Sequence, residues 1–361
     1  MSTNLKDLIE SSFHKRVNRD SKLRNAHLLI HSAKNNLHLN LASGSAEYVH
    51  PEQPIFVASV GKLFTAVIIG QLVERGDLAF EDPITQYLDF NLIKGLQVHK
   101  GKDYGAEIQI KHLLNHSSGI RDSLLDPPKD GKPLIDLLID EPHHMWSPEE
   151  IIEWSKKHTK EAKFLPGEGF NYSDTGYVLL GLIVEKATNK SFQDVLHKFI
   201  FEPLNMKNSY LLHYSSPAIE SEHPLADFYI VDKNVKDFKS ISFDYSAGGV
   251  VATKEDLLLF MKSLVEGKIL RPDTLEAMKD YKKFTLGIDY GYGIMNFKTV
   301  PVFMPKKFNM WGNAGMTGSF MFYHPELDSY FIGSLNQFRY NRKGIMLVLK
   351  TINLMEKQRL Q

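Results

Sequence analysis

The sequence predicts an α+β fold with one antiparallel sheet, flanked by helices, and a mainly helical inserted region. Strand-like patches occur near the start of the chain, in AHLLIHS (26–32) and PIFVAS (54–59). Short, aromatic-rich and glycine-punctuated patches follow residue 285, in YGYGIMNF, SFMFYHP and SYFIGSLNQ. Mostly helical patterns lie between them. We therefore expect a discontinuous sheet domain, residues 1–80 and 246–361, around a mainly helical region, residues 81–245.

The predicted helices carry recognisable ends. A helix over residues 59–76 ends at Gly76, a residue favoured just after a helix. PEEIIEWSKKHT begins with proline and acidic residues, which is typical of a helix start. TKEDLLLFMKSLVEG has Thr253 as its N-cap and Gly267 at its end. Amphipathic helices are expected at both ends of the chain, where apolar residues recur on one helical face.

Composition excludes several classes of function. The chain has 361 residues, with 43 Lys and Arg against 43 Asp and Glu, so its net charge is zero. A balanced charge provides no electrostatic argument for binding to nucleic acid or an anionic membrane. The absence of cysteine excludes disulfides, thiolate nucleophiles and cysteine metal sites. We expect a small-molecule or peptide-like substrate, no nucleic-acid partner and no cofactor; the oligomeric state stays open.

The apolar segments bear on localisation. No apolar run reaches the ~18 residues needed to span a bilayer, so no membrane span is expected. The first twenty residues also lack the apolar core of a signal peptide. We expect a cytoplasmic protein if Met1 is the native start, and a periplasmic or extracellular one if a leader has been trimmed.

A serine stands one helical turn before a lysine in FVASVGKLFTA (56–66). Residues three apart share a helix face, so Ser59 and Lys62 would face one cleft. A serine hydroxyl needs a neighbouring base, and a desolvated lysine can serve as one. The alternative is that Ser59 caps the helix while Lys62 extends to the surface.

Other stretches follow this motif in a characteristic order. They are IKHLLNHSSGI (110–120), FNYSDTGYVLLGLIVEKAT (170–188), SAGGVVATKEDLLLFM (246–261) and WGNAGMTGSFMFYHP (311–325). With the S-x-x-K motif, the chain resembles the serine β-lactamase and penicillin-binding-protein-like superfamily over most of residues 26–340. It is similar to the branch with class C β-lactamases, D-alanyl-D-alanine carboxypeptidases, D-aminopeptidases and family VIII esterases. The resemblance implies a β-lactamase/transpeptidase-like fold.

The resemblance also implies catalytic roles. Ser59 matches the acylated nucleophile, and Lys62 matches the lysine that accepts its proton or tunes its neighbours. Tyr172 matches the family tyrosine that serves as a general base. The backbone N–H groups of Ser59 and Met316 would form the oxyanion hole. Which of Lys62 and Tyr172 is the base stays open.

Substrate-binding roles fall on Asp174, Asn313, Gly315 and Trp311, but two of these depart from the family pattern. Asp174 replaces the usual Asn. An acid there would keep Lys62 charged, and the cation could lower the pKa of Tyr172, leaving the tyrosine as base. Asn313 replaces Lys or His and removes a cation that in relatives helps bind the substrate carboxylate or orient the tyrosine. Penicillins and D-Ala-D-Ala peptides both carry that carboxylate.

These departures predict a poor β-lactamase and a poor carboxypeptidase. We expect a serine hydrolase that forms an acyl-enzyme with an ester or amide lacking that carboxylate. Esterase, D-amino-acid amidase or peptidase, and weak β-lactamase-like activities all fit, and an amine-bearing substrate could be anchored by Asp174. Two alternatives stay open: a catalytically degenerate penicillin-binding-like protein that only binds ligand, and a cell-wall D,D-peptidase.

The histidines His112 and His116 have a spacing that can hold a metal on a helix. No H-E-x-x-H pattern accompanies them. We therefore expect them to be structural and predict no metal site.

Overall fold

The computed structural model describes residues 4–359, so the expectation that depends on Met1 lies outside the described residues. The α-helices in this range are α1 (Leu5–Arg19), α2 (Gly61–Arg75), α3 (Phe90–Ile93), α4 (Ile110–Leu114), α5 (Leu134–Asp140), α6 (Pro148–His158), α7 (Asp174–Thr188), α8 (Phe192–Leu196), α9 (Tyr245–Gly248), α10 (Lys254–Val265), α11 (Pro272–Ala277) and α12 (Asn341–Arg359). None of these helices is long and apolar enough to cross a bilayer.

Four sheets contain the strands. Their bounds are β1 (Ala26–Ser32), β2 (Leu37–Ser43), β3 (Ile55–Phe56), β4 (Val98–His99), β5 (Lys102–Asp103), β6 (Tyr210–Leu211), β7 (Tyr229–Ile230), β8 (Lys233–Asn234), β9 (Val250–Ala252), β10 (Lys282–Thr285), β11 (Ile288–Tyr290), β12 (Met295–Phe297), β13 (Met310–Ala314), β14 (Phe320–His324) and β15 (Ser329–Ser334). The main sheet has eight strands in the order β10-β11-β12-β13-β14-β15-β1-β2, and its neighbours pair antiparallel. The expected sheet built from both ends of the chain is confirmed.

One expected strand lies elsewhere. The prediction that PIFVAS (54–59) forms a strand of the one antiparallel sheet is wrong. Its strand, β3, has only two residues, and it pairs with β9 in a separate sheet of order β3-β9-β6. The Val57 N–H continues this pairing by donating to the Val250 carbonyl (3.0 Å). Because β9 satisfies its backbone groups, this segment has no place in the main sheet.

Both faces of the main sheet are covered. Successive side chains of a strand point to opposite faces. In β1, Leu28 and Ile30 therefore join an apolar cluster with α1 and α12, whereas Leu29 joins the cluster that contains α2, α7 and α10. Helices α1 and α12 thus cover one face of the sheet, and α10 contacts the other. The predicted amphipathic terminal helices are confirmed.

The helix after PIFVAS is buried on nearly all sides. Eleven residues of α2, Lys62 among them, are buried. The predicted end is confirmed, because Gly76 follows it in the left-handed conformation at φ 75°. Helix α2 packs against α7 and α9, and the Thr65 hydroxyl donates to the Ser246 carbonyl (2.7 Å). This three-helix contact brings distant parts of the sequence to the start of α2.

We expect Gly181→Ala to destabilise the protein by about 1–3 kcal/mol, the usual cost of overpacking a core. A Cβ at Gly181 of α7 would lie 2.2 Å from Ser246 Oγ and 2.7 Å from Tyr245 Cε1. On the same helix, the nearest atom to a Cβ at Gly176 is 3.7 Å away, so Gly176→Ala is the matched control. Gly176→Ala should stabilise the folded protein by up to about 1 kcal/mol, because alanine has a higher helix propensity than glycine. Urea unfolding of both variants measures the difference, and equal effects would contradict this packing.

Candidate active site

The predicted nucleophile lies at a strained turn. Ser59 is in a 3-10 turn, residues 58–60, that leads into α2. Ala58 before it has φ 47°, a left-handed conformation that is uncommon outside glycine. Two glycines make room for this turn: a Cβ at Gly248 would be 2.8 Å from the Ala58 carbonyl carbon, and one at Gly315 would be 3.0 Å from Ser59 N. Close backbone contacts on both sides therefore hold the turn.

Lys62 is buried and fully engaged. Its ammonium forms an ion pair with Asp174 at the start of α7, donates to the Ala247 carbonyl of α9 (2.7 Å) and lies 3.4 Å from Ser59 Oγ. The side chain has no exposed surface. The alternative in which Lys62 reaches the surface is therefore wrong. The residue at the N-cap of α2 is Val60, and Ser59 does not cap that helix.

Two further carboxyl groups, those of Asp122 and Asp244, feel the charge of Asp174. Burial and the charge of Asp174 raise the pKa of Asp122 to about 8, and the same two causes raise the pKa of Asp244 to about 7. Asp122 accepts the Asp174 N–H (2.8 Å) and two further backbone N–H groups. Asp174 is the ion-pair partner of Lys62, and the raised pKa values of Asp122 and Asp244 keep these two neighbours partly protonated at neutral pH.

Tyr172 stays neutral in this arrangement. Burial and Asp174 raise its pKa well above the usual value, and contact with the Ser59 hydroxyl only partly offsets the rise. The expectation that cationic Lys62 would lower this pKa is not met. The Lys62 ammonium lies over the Tyr172 ring, 5.0 Å from its centroid, and Asp174 cancels its charge.

The rings of His116 and Tyr290 pack around Tyr172. The His116 ring lies 4.3 Å from the Tyr172 ring and 4.6 Å from Tyr290, centroid to centroid. Its Nδ1 accepts the Ser173 N–H (3.1 Å), while burial and Lys62 lower its pKa well below the ordinary value. Neutral His116 is thus a packing residue of the site, in keeping with the structural role expected for it. His112 instead accepts the Gln109 N–H at the start of α4.

Several predicted substrate-binding residues lie outside the cleft lining. Asn313 is completely buried, where its amide donates to the Gly293 carbonyl (2.8 Å) and the Tyr290 hydroxyl (3.2 Å). Trp311, two residues earlier on the same strand, packs against Tyr323. Strand alternation turns both side chains away from the cleft. Direct substrate contact by Asn313 or Trp311 is not supported by these positions.

Gly315 and Met316 do line the cleft with Ser59. The Met316 N–H donates to no protein group in residues 4–359, and Ser59 lies in a first turn, where N–H groups have no partner within the helix. A Cβ at Gly315 would also collide with Ser319 Oγ at 2.3 Å. The two N–H groups remain candidates for an oxyanion hole.

The cleft beside Ser59 is mostly apolar. Its cavity volume is about 210 Å³. Its apolar wall consists of Phe56, Leu124, Leu125, Ile135, Leu138, Phe228, Ile230, Ile241, Phe243, Phe284, Ile288, Met295, Phe338 and Ile345. The acidic lining residues are Asp174 and Asp244, and no Lys, Arg or His is among the described residues that line it. A carboxylate in the cleft would meet negative groups and no counter-ion.

Asp244 and Asp122 were missed by the sequence reasoning. Asp244 lines the cleft two residues before SAGG, and its carboxyl group has no hydrogen-bond or ion-pair partner in the described part of the chain. Asp174, the predicted anchor for an amine, is already paired with Lys62. No local motif marked these two acids, because only the fold brings them close to Asp174.

The residues best placed to hold a metal lie apart from the cleft lining. Within residues 4–359, His50, Glu52 and His223 are the group of three whose ligand atoms lie within 4.8 Å of one another. The two imidazole rings stack with centroids 3.8 Å apart.

We expect Asp244 to make stability fall as pH rises from about 4 to about 7. The unfolded chain releases this proton near the ordinary value of about 3.9, whereas the folded protein holds it to about pH 7. The folded state therefore binds more protons in this window, and its advantage is lost as pH rises through 7. Asp244→Asn should shrink the difference in free energy of unfolding between pH 5 and pH 8, measured with urea.

Asp237 is exposed, so Asp237→Asn serves as the control. It should leave the difference in free energy of unfolding between pH 5 and pH 8 unchanged. An Asp244→Asn variant with the native pH dependence would show that Asp244 titrates normally in the folded protein.

The fold and the Ser-Lys-Tyr cluster together define a β-lactamase/transpeptidase-like protein. Residues 32–348 match the beta-lactamase family, and the chain belongs to it. Members of this family are serine hydrolases, and they include esterases and amidases. The predicted family and fold class are confirmed.

Individual relatives are distant. A penicillin-binding protein of Bacillus subtilis (strain 168) is 27% identical over 252 residues, 66% of this chain and 51% of the relative. Esterase EstB of Burkholderia gladioli is 28% identical over 163 residues, 42% of this chain and 37% of the relative. The chain spans about half the length of the first of these, and less of the second.

Solved structures are similar along the whole fold. A D-stereospecific amidohydrolase from Streptomyces sp. has a TM-score of 0.77 at 20% identity, covering 94% of this chain and 97% of the other. The D-amino acid amidase from Ochrobactrum anthropi SV3, complexed with D-phenylalanine, has a TM-score of 0.76 at 22% identity, covering 97% and 99%. At these identities the likeness establishes the fold.

Proposed function

We propose that this protein is a serine hydrolase that forms an acyl-enzyme on Ser59 with an ester or amide of an apolar acyl group lacking a carboxylate. One observation carries the proposal: Ser59 Oγ lies 3.4 Å from a buried lysine and opens onto an apolar cleft without a cationic lining residue. Relatives named as an esterase and as amidases support the same reaction class.

Lys62 is the better base of the two candidates. Once Lys62 passes a proton to Asp174, its free amine can take the Ser59 proton as Oγ attacks the carbonyl carbon. The Ser59 and Met316 N–H groups receive the developing oxyanion. The ammonium of Lys62 then protonates the leaving group, and water hydrolyses the ester on Ser59 in a second step. Tyr172, whose pKa is raised, orients the Ser59 hydroxyl as a neutral phenol.

The cleft favours neutral or amine-bearing substrates. Desolvating a carboxylate without a partner is costly, and Asp174 and Asp244 would repel it. An amine is better anchored by Asp244 than by Asp174, because Asp174 is committed to Lys62. These features argue against efficient turnover of penicillins and of D-Ala-D-Ala peptides, and so against the cell-wall D,D-peptidase alternative.

We expect a fluorophosphonate probe to add one adduct to the native chain, seen by intact mass. Ser59→Ala should abolish it, and Lys62→Met should slow it by about 10²–10⁴-fold, the usual contribution of a general base. Tyr172→Phe should slow it by about tenfold, since a neutral tyrosine only orients the serine. Tyr177→Phe is the matched control, because its hydroxyl donates to the Leu114 carbonyl.

Equal losses in Tyr172→Phe and Lys62→Met would instead make the tyrosine the base. No adduct on native protein with an intact circular dichroism spectrum would favour the ligand-binding alternative, in which the fold is kept without catalysis.

We expect p-nitrophenyl pentanoate to be hydrolysed with a kcat/KM at least tenfold above that of mono-p-nitrophenyl glutarate. The two esters have acyl chains of similar length, but the second ends in a carboxylate that meets no cation in the cleft. Tenfold corresponds to about 1.4 kcal/mol, a small part of the cost of an unpaired buried charge. Equal values, or turnover of a carboxylate-bearing β-lactam at similar efficiency, would refute the substrate class.

A further inference from the structure

An exposed apolar tip stands beside the mouth of the cleft. Val302 is 98% exposed, Phe303 76% and Leu286 59%. Apolar side chains scattered singly on a surface are ordinary, but a contiguous exposed patch usually marks an interaction site. We call these three residues the apolar tip.

The three residues belong to one surface. Leu286 lies in the turn between β10 and β11, and Lys298 N donates to the Gly287 carbonyl (3.0 Å) in that turn. A Cβ at Gly287 would lie 2.9 Å from Met304 Cε and 3.1 Å from Val300 Cγ2. The loop that carries Val302 and Phe303 therefore packs directly on the turn that carries Leu286.

Phe284 connects the apolar tip to the cleft. It lies two residues before Leu286, at the end of β10 where the chain enters the turn. Phe284 lines the cleft and is itself 38% exposed. Its ring is 5.2 Å from Phe170, centroid to centroid. An apolar path thus runs from the tip to the mouth of the cleft.

Lysines are frequent in the segments that carry this apolar surface. Residues 282–307 contain five lysines and one acidic residue, Asp289, a net charge of +4 in a chain whose total is zero. Asp289 is paired with Lys298. Lys283, Lys306 and Lys307 are exposed and have no acidic partner within the described residues. The balanced charge of the whole chain conceals this local positive surface.

We propose that the apolar tip docks onto an anionic lipid surface. Val302, Phe303 and Leu286 would enter the boundary between headgroups and acyl chains, and the lysines would contact the headgroup phosphates. An apolar wedge with basic flanks is complementary to such a surface in both hydrophobicity and charge. The docked protein would present the mouth of its cleft to the bilayer. Binding does not require catalysis by Ser59, so it is tested separately from the proposed function.

The test is co-sedimentation of the full chain with sucrose-loaded vesicles of phosphatidylcholine, with and without 30 mol% phosphatidylglycerol, at two salt concentrations. Phe303→Asp removes the most exposed aromatic residue of the tip. Val231→Asp is its matched control, because Val231 is 68% exposed on the separate hairpin β7–β8. Lys306→Glu with Lys307→Glu tests charge, and Lys157→Glu with Lys160→Glu makes the same charge change on exposed lysines in and just after α6.

We expect binding to the anionic vesicles that weakens at high salt. Phe303→Asp and the Lys306/Lys307 double variant should each weaken the partition coefficient by about tenfold or more, and both controls should bind as the native chain does. Phe303→Trp should show a blue-shifted emission on vesicle binding. The proposal fails if native protein stays in the supernatant with anionic vesicles, or if Phe303→Asp binds equally well. It also fails if sedimentation velocity shows the tip buried in a dimer that Phe303→Asp dissociates.

Discussion

The ion pair between Lys62 and Asp174 is the interaction on which the site depends. Through it and the Ala247 carbonyl, one ammonium links α2, α7 and α9. Its two partners lie 112 and 185 positions after Lys62 in the sequence. A buried charge without a partner would be very costly. The contacts that pair the Lys62 ammonium therefore also fix its distance from Ser59. The same interactions thus stabilise the packing of the three helices and position the nucleophile.

The second constraint on the site is the close packing of neighbouring backbones against the turn that carries Ser59. Ala58 adopts a left-handed conformation, and glycines at 248 and 315 let neighbouring backbones reach it. Such local strain persists only where the surroundings enforce it. Here the surroundings are α9 on one side and the end of β13 on the other. The hydroxyl of Ser59 and the N–H of Met316 thus face one cleft without relying on flexible side chains.

Charge and shape act together in the cleft. Asp174 pairs with Lys62, and the described lining of the cleft contains no cationic side chain. The apolar wall then favours an apolar acyl group, and Asp244 favours a positive over a negative charge on the substrate. The apolar tip and its lysines lie next to the mouth of this cleft, so a lipid-facing orientation would suit the uncharged, apolar substrates that the wall accepts.

The sequence by itself determined the fold class, the family and the Ser59, Lys62 and Tyr172 cluster, because hydrophobic periodicity and local motifs are properties of neighbouring residues. Helix ends such as Gly76 and Thr253 were likewise readable, since capping depends on adjacent backbone groups. Only the tertiary structure decided that β3 leaves the main sheet, that Asn313 donates to Tyr290, and that Asp122 and Asp244 lie close enough to Asp174 to feel its charge. Strand partners, burial and the pKa of a buried group depend on residues far away in sequence, and no local pattern carries that information.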